Sequence, residues 1–248
     1  MKMKYNISIL LFSLFCMLVA SCQKDMDDTA LPEGCGGLNL RTVAVEDSSE
    51  ITVIRTKSFD MDVTTFQVEI INRITGETVK KYTSYQEMLD GERPMVVLPV
   101  GSYKVYVYSC EPENGVYDKP YFMAEQNFEI EDKTVTTVDK LVCKFSNVGV
   151  DIRMSDNFNY LFSDNYSIIV ENGQNGKVTY TRENKGQIIY FDRIGESIKL
   201  TVTVQPKNAG EPYPTRTYYV KNGNGNPSIG EYYIITFDGE KPAVKVSF

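Results

Sequence analysis

No histidine occurs anywhere in the 248 residues, and no tryptophan. The first absence removes Ser-His-Asp triads, Cys-His pairs, histidine-based zinc sites and the commonest general base. Beyond residue 22 there is no Ser-x-x-Lys and no glycine-rich phosphate loop; Gly223-Asn-Gly225-Asn-Pro227 is a turn cluster with no helix pattern after it. Excess positive charge is missing too. The formal net charge is −7, and clustered Lys and Arg are what nucleic-acid binding needs, so nucleic acid is excluded as a partner. Long apolar runs are also lacking: the longest, Ile7–Ala20, falls short of the ~20 residues that span a bilayer.

That short run has a meaning of its own. Lys2 and Lys4 precede it and small residues end it, which describes a secretory signal peptide over residues 1–21. Val19-Ala20-Ser21-Cys22 resembles the lipobox of bacterial lipoproteins, which implies cleavage before Cys22 and acylation of its thiol and amine. Several acyl chains, each contributing ~0.8 kcal/mol per buried CH₂, hold a protein to a membrane far better than one. Loss of Lys2 and Lys4 with the signal takes the charge from −7 to −9. Residues 22–37 are polar and acidic, with Lys24, Asp25, Asp27, Asp28, Glu33 and the Gly36-Gly37 pair, and they read as a flexible tether. The tether also resembles the export signal of Bacteroidetes surface lipoproteins, although Met26 interrupts the acids; a plain solvated spacer is the alternative. Asp28-Thr29-Ala30 fits the short O-glycosylation pattern of that phylum, with Thr29 as the acceptor.

Cys35, Cys110 and Cys143 remain once Cys22 is acylated. Cys110–Cys143 is the favoured disulfide, because each lies at or inside a strand pattern; small buried thiols packing as apolar residues are the alternative.

From Leu38 onward the pattern has period two. "LNLRTVAV", "TFQVEII", "SYKVYVYS", "SIKLTVTVQP" and "EYYIITFDG" are short, β-branched and aromatic, and turn residues separate them. In "SYKVYVYS", Tyr103, Val105 and Val107 face one way and Lys104, Tyr106 and Tyr108 the other. Ser84-Tyr-Gln-Glu87 is a capping box for one helical turn over Tyr85–Leu89, and Asp156 is the expected cap of another through Phe158–Phe162. "TFQVEIINRITGETVKKY" (65–82) parallels "NYSIIVENGQNGKVTYTR" (165–182) as an internal repeat. The expected fold is all-β: two tandem antiparallel Greek-key β-sandwich domains, 38–141 and 142–248, behind the signal and tether.

"CGGLNLRTVAV", "LPVGSYKVYVYS", "YFMAEQNFEIEDKTVTTVDKLVCKFSNVGVDI" and "FNYLFSDNYSIIVENG" resemble fimbrillin-like lipoproteins of the Bacteroidetes. They are most similar to an uncharacterised domain-of-unknown-function lipoprotein family in that group, over nearly all of the chain beyond Cys22. The resemblance implies a non-enzymatic, lipid-anchored protein on the outer face of the outer membrane, serving as a fimbrial-type subunit, anchor or adhesin. It further implies assembly with other subunits by strand addition, for which 38–45 and 243–248 are the natural elements, and proteolysis at an arginine, Arg41 or Arg55, to free the acceptor groove. The alternative is a carbohydrate-binding accessory lipoprotein of a polysaccharide-uptake system, whose glycan partners would stack on Tyr106, Tyr108, Tyr218, Tyr219, Tyr232 or Tyr233. Only one of each adjacent tyrosine pair can be exposed in a regular strand. No catalytic residue, cofactor or metal site is assigned. The pairs Asp60/Asp62, Glu111/Glu113, Glu129/Glu131/Asp132 and Asp238/Glu240 read as solvated surface or turns.

Overall fold

A computed structural model describes residues 30–46, 61–92, 95–221, 225–239 and 242–247. The strands are β1 (Cys35–Leu40), β2 (Val43–Val45), β3 (Gln67–Asn72), β4 (Thr78–Tyr82), β5 (Val96–Pro99), β6 (Gly101–Tyr108), β7 (Val116–Tyr117), β8 (Phe122–Ile130), β9 (Val135–Val138) and β10 (Leu141–Phe145). They continue with β11 (Val148–Met154), β12 (Phe162–Glu171), β13 (Lys177–Tyr180), β14 (Ile188–Phe191), β15 (Ile198–Pro206), β16 (Arg216–Val220), β17 (Tyr232–Phe237) and β18 (Pro242–Ser247). Two short helices, α1 (Tyr85–Gly91) and α2 (Asp156–Leu161), complete the described elements with one 3-10 turn at Val63–Thr65. The chain is all-β, in four sheets of order β5-β1-β9, β2-β10-β8-β6-β3-β4, β18-β17-β11-β14-β7 and β13-β12-β15-β16.

By packing the chain forms two compact units. Among the described residues, one takes 30–43, 68–92, 95–106 and 125–141; the other takes 44–46, 61–67, 107–124, 142–221, 225–239 and 242–247. The second unit is thus built from more than one stretch of chain, with described residues before 125 joining those after 141.

In the second unit two sheets close on one apolar core. Val148, Val150 and Ile152 of β11 and Tyr233, Ile235 and Phe237 of β17 meet Ile168 and Val170 of β12 and Leu200, Val202 and Val204 of β15. Alternation puts every second residue of β15, and of β12 from Tyr166 onward, inward, as period two requires; between Phe162 and Tyr166 the register of β12 shifts. β11 departs from it: Val148 to Ile152 are all buried, as in a strand covered on both faces. Its partner β17 runs parallel to it, with Gly149 opposite Tyr232 and Met154 opposite Phe237. In the first unit β1 pairs parallel to β9 and antiparallel to β5. The expected wholly antiparallel pairing therefore has exceptions, and β2 beside β10 is another: Leu141 N donates to Thr42 O at 2.8 Å and Glu46 N to Cys143 O at 2.9 Å, a parallel pattern. All join strands far apart in sequence, where no hairpin dictates direction.

The repeat is visible as two hairpins tied by equivalent asparagines. The Asn72 side chain accepts from Ile74 N at 2.8 Å and Thr75 N at 3.1 Å, and Gly76 follows at φ +75°. The Asn172 side chain accepts from Gln174 N and Gly176 N, both at 2.9 Å, and its amide donates to Arg193 O at 2.9 Å. Each carboxamide stands in for a backbone acceptor and closes the turn.

Both helices are capped by serine. Ser84 Oγ accepts from Glu87 N at 3.0 Å, and Glu87 Oε2 accepts from both Thr83 N and Thr83 Oγ1 at 2.7 Å. Those Thr83 bonds hold the Glu87 carboxyl below its ordinary value. At α2 the cap is Ser155, whose Oγ accepts from Phe158 N at 3.1 Å; Asp156, the expected cap, is instead the acid of the first turn. Asp156 there complements the helix dipole, which a serine one residue earlier leaves it free to do.

Candidate functional site

The glycine pair Gly36-Gly37, expected as the end of the tether, lies instead inside buried β1 and determines how that strand can sit. A Cβ on Gly36 would meet Ile130 Cγ2 at 2.8 Å and Thr134 O at 2.9 Å, and one on Gly37 would collide with the side chain of Met95. Only bare backbone fits between these neighbours, so β1 lies deep between β5 and β9. Cys35 is opposite Pro99 and Leu38 opposite Val96 on one side; Gly37 is opposite Val135 and Leu40 opposite Val138 on the other. Further bonds fasten its ends: Gly34 N donates to Asp132 Oδ1 at 2.8 Å, Lys133 N to Cys35 O at 2.8 Å and Arg41 N to Val138 O at 3.0 Å.

Leu38 and Leu40 are buried, and beside them Asn39, Met88, Leu89, Glu92, Met95 and Val96 line a hollow of about 200 Å³. Glu92 is held there by Lys80 Nζ at 2.9 Å and Tyr82 OH at 2.8 Å. Burial, reinforced by this carboxylate, pushes the Tyr82 hydroxyl far up, so it stays a donor. Tyr85 OH, on α1, donates to Arg41 O at 3.2 Å and pins the end of the strand.

Immediately after β1 the chain surfaces. The Arg41 side chain is 61% exposed, and its guanidinium is 3.3 Å from Asp139 Oδ1, itself 78% exposed. An exposed pair of this kind contributes little, about 0–1 kcal/mol, and leaves the arginine accessible. Cys22, Thr29 and Arg55 lie outside the described residues. The other exchange element, residues 243–248, falls largely in β18, an edge strand of the five-stranded sheet that pairs with β17 from Tyr232↔Ser247 to Phe237↔Pro242.

The favoured disulfide is not formed: Cys110 and Cys143 are buried free thiols. Cys143 is in β10 and Cys110 just beyond β6, and β8 runs between those two strands. Two strand spacings are about 9.6 Å, beyond the ~7 Å Cα separation that a bridge tolerates. Burial pushes the Cys143 thiol up to about 12 and raises Cys110 as well. We expect both thiols to resist iodoacetamide at pH 8 in the folded chain. Both should react at once in denaturant without reductant, and a requirement for reductant, read by mass spectrometry, would contradict the free state.

Of the candidate tyrosines, Tyr219 is 65% exposed, Tyr218 packs against the core and Tyr106 is half-buried. Tyr108, Tyr232 and Tyr233 are buried, so neither member of the 232/233 pair reaches solvent. The strand is covered on both sides, and Gly149 opposite Tyr232 leaves room for its ring. Asp62 caps the 3-10 turn through Thr64, and Glu129 binds Ser102 Oγ at 2.5 Å and faces Arg73. Among the described residues no group of three or more His, Cys, Asp or Glu is placed to hold a metal ion, and no helix is long and apolar enough to cross a membrane. Sequence reasoning missed the buried polar side chains of Asn147, Asp151, Asn172 and Glu231; Asp151 Oδ2 accepts from Arg153 Nε at 2.9 Å and Nη2 at 2.6 Å.

Residues 34–247 match a family described as a domain of unknown function (DUF4493). No curated protein matches the chain in sequence. Among solved structures it is similar to a candidate cell-adhesion protein of Bacteroides uniformis, with 17% identity, 87% of this chain and 99% of that one covered, and a TM-score of 0.46. A fimbrial assembly protein of Parabacteroides distasonis gives 11% identity, coverage of 87% and 94%, and a TM-score of 0.47. A candidate polysaccharide-binding protein of Bacteroides thetaiotaomicron gives 11% identity, coverage of 83% and 91%, and a TM-score of 0.44.

Proposed function

The chain belongs to the DUF4493 family, so its role has to come from its own geometry, and we propose a non-enzymatic, lipid-anchored cell-surface protein of fimbrial type. In this reading it is a subunit, anchor or adhesin that joins partners by exchanging strands. The observation that carries the reading is β1: a short buried strand held between two others, followed at once by an exposed arginine. Hydrolysis after Arg41 would sever β1 from β2 without touching either neighbour of β1. Its withdrawal would open the facing edges of β5 and β9, with their unpaired N–H and C=O groups, to a strand from another molecule. The lipobox at Cys22 supplies the anchor, which the same cut would release.

Two measurements test this. Treatment of the full chain with an arginine-specific protease should cut at Arg41 and yield multimers that survive SDS without boiling, and Arg41→Ala should remain monomeric. A cleaved chain that stays monomeric would refute strand exchange. Separately, an alkynyl fatty acid should label the wild type in cells and leave Cys22→Ala unlabelled; equal labelling would remove the anchor.

A further inference from the structure

One surface of the second unit brings two lysines and two exposed tyrosines together in this acidic chain. At the end of α2, the Asn159 backbone oxygen accepts from Lys207 Nζ at 2.6 Å, and the Asn159 side-chain oxygen accepts from Lys185 Nζ at 3.4 Å. The amide is oriented for this by Asn159 Nδ2, which donates to Ser155 O at 2.8 Å. Two ammonium groups thus converge on one residue, and neither makes an ion pair among the described residues. Asp164, on the adjacent strand β12, is already taken by Arg182 at 3.0 Å. The next two residues are Tyr160, 77% exposed, and Leu161, 43% exposed. Tyr213, 38% exposed, stands edge-on to the Phe162 ring at 6.1 Å, and Phe162 rests on the buried Phe158 at 4.9 Å. Lys207 is fixed beside them by its own N–H, which donates to Leu161 O at 3.0 Å.

We infer that this patch of Tyr160, Tyr213, Lys185 and Lys207 binds a carboxylated sugar of an acidic polysaccharide. Asn159 meets both ammonium groups with neutral oxygens alone, and a carboxylate would supply the negative charge they lack. An exposed tyrosine ring offers a pyranose the flat apolar face it stacks on, with a hydroxyl at the rim. An extended peptide fits worse, because β12 already has β13 on one side and β15 on the other and presents no free backbone edge. The contact is exposed, so it is sensitive to salt.

The test uses the full chain on an array of oligogalacturonate, oligoglucuronate and sialylated glycans, with methyl-esterified oligogalacturonate and oligoglutamate as comparators. At least one carboxylated glycan should be retained, and its methyl ester should not be. The Lys185→Met/Lys207→Met double variant should lose about tenfold in affinity, and Tyr160→Ala about fivefold, with unchanged melting temperatures because all three side chains are exposed. Retention of no carboxylated glycan, variants that bind like wild type, or equal binding of the ester or of oligoglutamate would each overturn the inference. Multimer formation after cleavage at Arg41 is a separate readout, so either result can fail alone.

Discussion

A Phe158→Ala chain is expected to melt about 10 °C below the unaltered one, and to lose about 3–5 kcal/mol of unfolding free energy in urea. Phe158 is 1% exposed and anchors α2 to the core of the second unit. Its ring is 4.9 Å from Phe162, 5.8 Å from Tyr166 and 6.1 Å from Phe237, so strands of both sheets lean on it. Removing the ring leaves a void lined by aromatics that cannot close around it, since Phe162 and Phe237 are fixed in paired strands. Phe158→Leu keeps most of the volume and should cost less than about 1.5 kcal/mol. Equal losses for the two variants would mean that the aromatic ring contacts, and not the filled volume, hold α2 to the core.

Side-chain alternation was a good guide to which face of a strand is buried, and a poor one to its neighbours. In β6, Tyr103, Val105 and Val107 are buried and Lys104 and Tyr106 half-buried, as period two implies. Tyr108 breaks the pattern at the end of the strand, where its hydroxyl reaches Gln67 at 3.3 Å. The parallel pairings of β1 with β9 and β11 with β17 left no mark in sequence, because the same alternation serves either direction. Helix starts were legible where a capping box is complete, at Ser84. At α2 two cap-competent residues, Ser155 and Asp156, stand side by side, and only backbone geometry chooses between them.

The candidate site divides along the same line. That Arg41 follows a strand pattern is readable from "CGGLNLR"; that this strand is enclosed on both sides is a property of the sheet. Cys143 lies in a strand and Cys110 just beyond one, and the expected pairing between them fails because the intervening β8 is invisible to spacing along the chain. The lysines at Asn159 come from 26 and 48 residues away and belong to two different loops. Nothing local marks them as a pair.

Gly149→Val is the second substitution with a large expected effect, about 3 kcal/mol or more, and it tests the most crowded point of the five-stranded sheet. Gly149 lies in β11 opposite Tyr232 of β17, and the tyrosine ring lies across the place a side chain would take. A Cβ there would come within 2.8 Å of Tyr232 Cε2, with Cδ2 closer still. The ring cannot simply swing out. Its hydroxyl is 3.4 Å from Asp151 Oδ2, and it is buried at 5% exposure beneath the paired strands. Displacing it also disturbs Asp151, a carboxylate buried to 7% whose charge is balanced by Arg153. A buried charge that loses part of its hydrogen bonding adds to the cost of overpacking. Gly210, with open space around it, provides the control: Gly210→Val should leave the melting temperature unchanged. The decisive measurement is a double-mutant cycle with Tyr232→Ala. If the ring is the obstacle, the pair Gly149→Val/Tyr232→Ala loses clearly less than the sum of the two single losses. Additive losses would place the strain in the β11 backbone and remove the ring-over-glycine contact as the reason for glycine at this position.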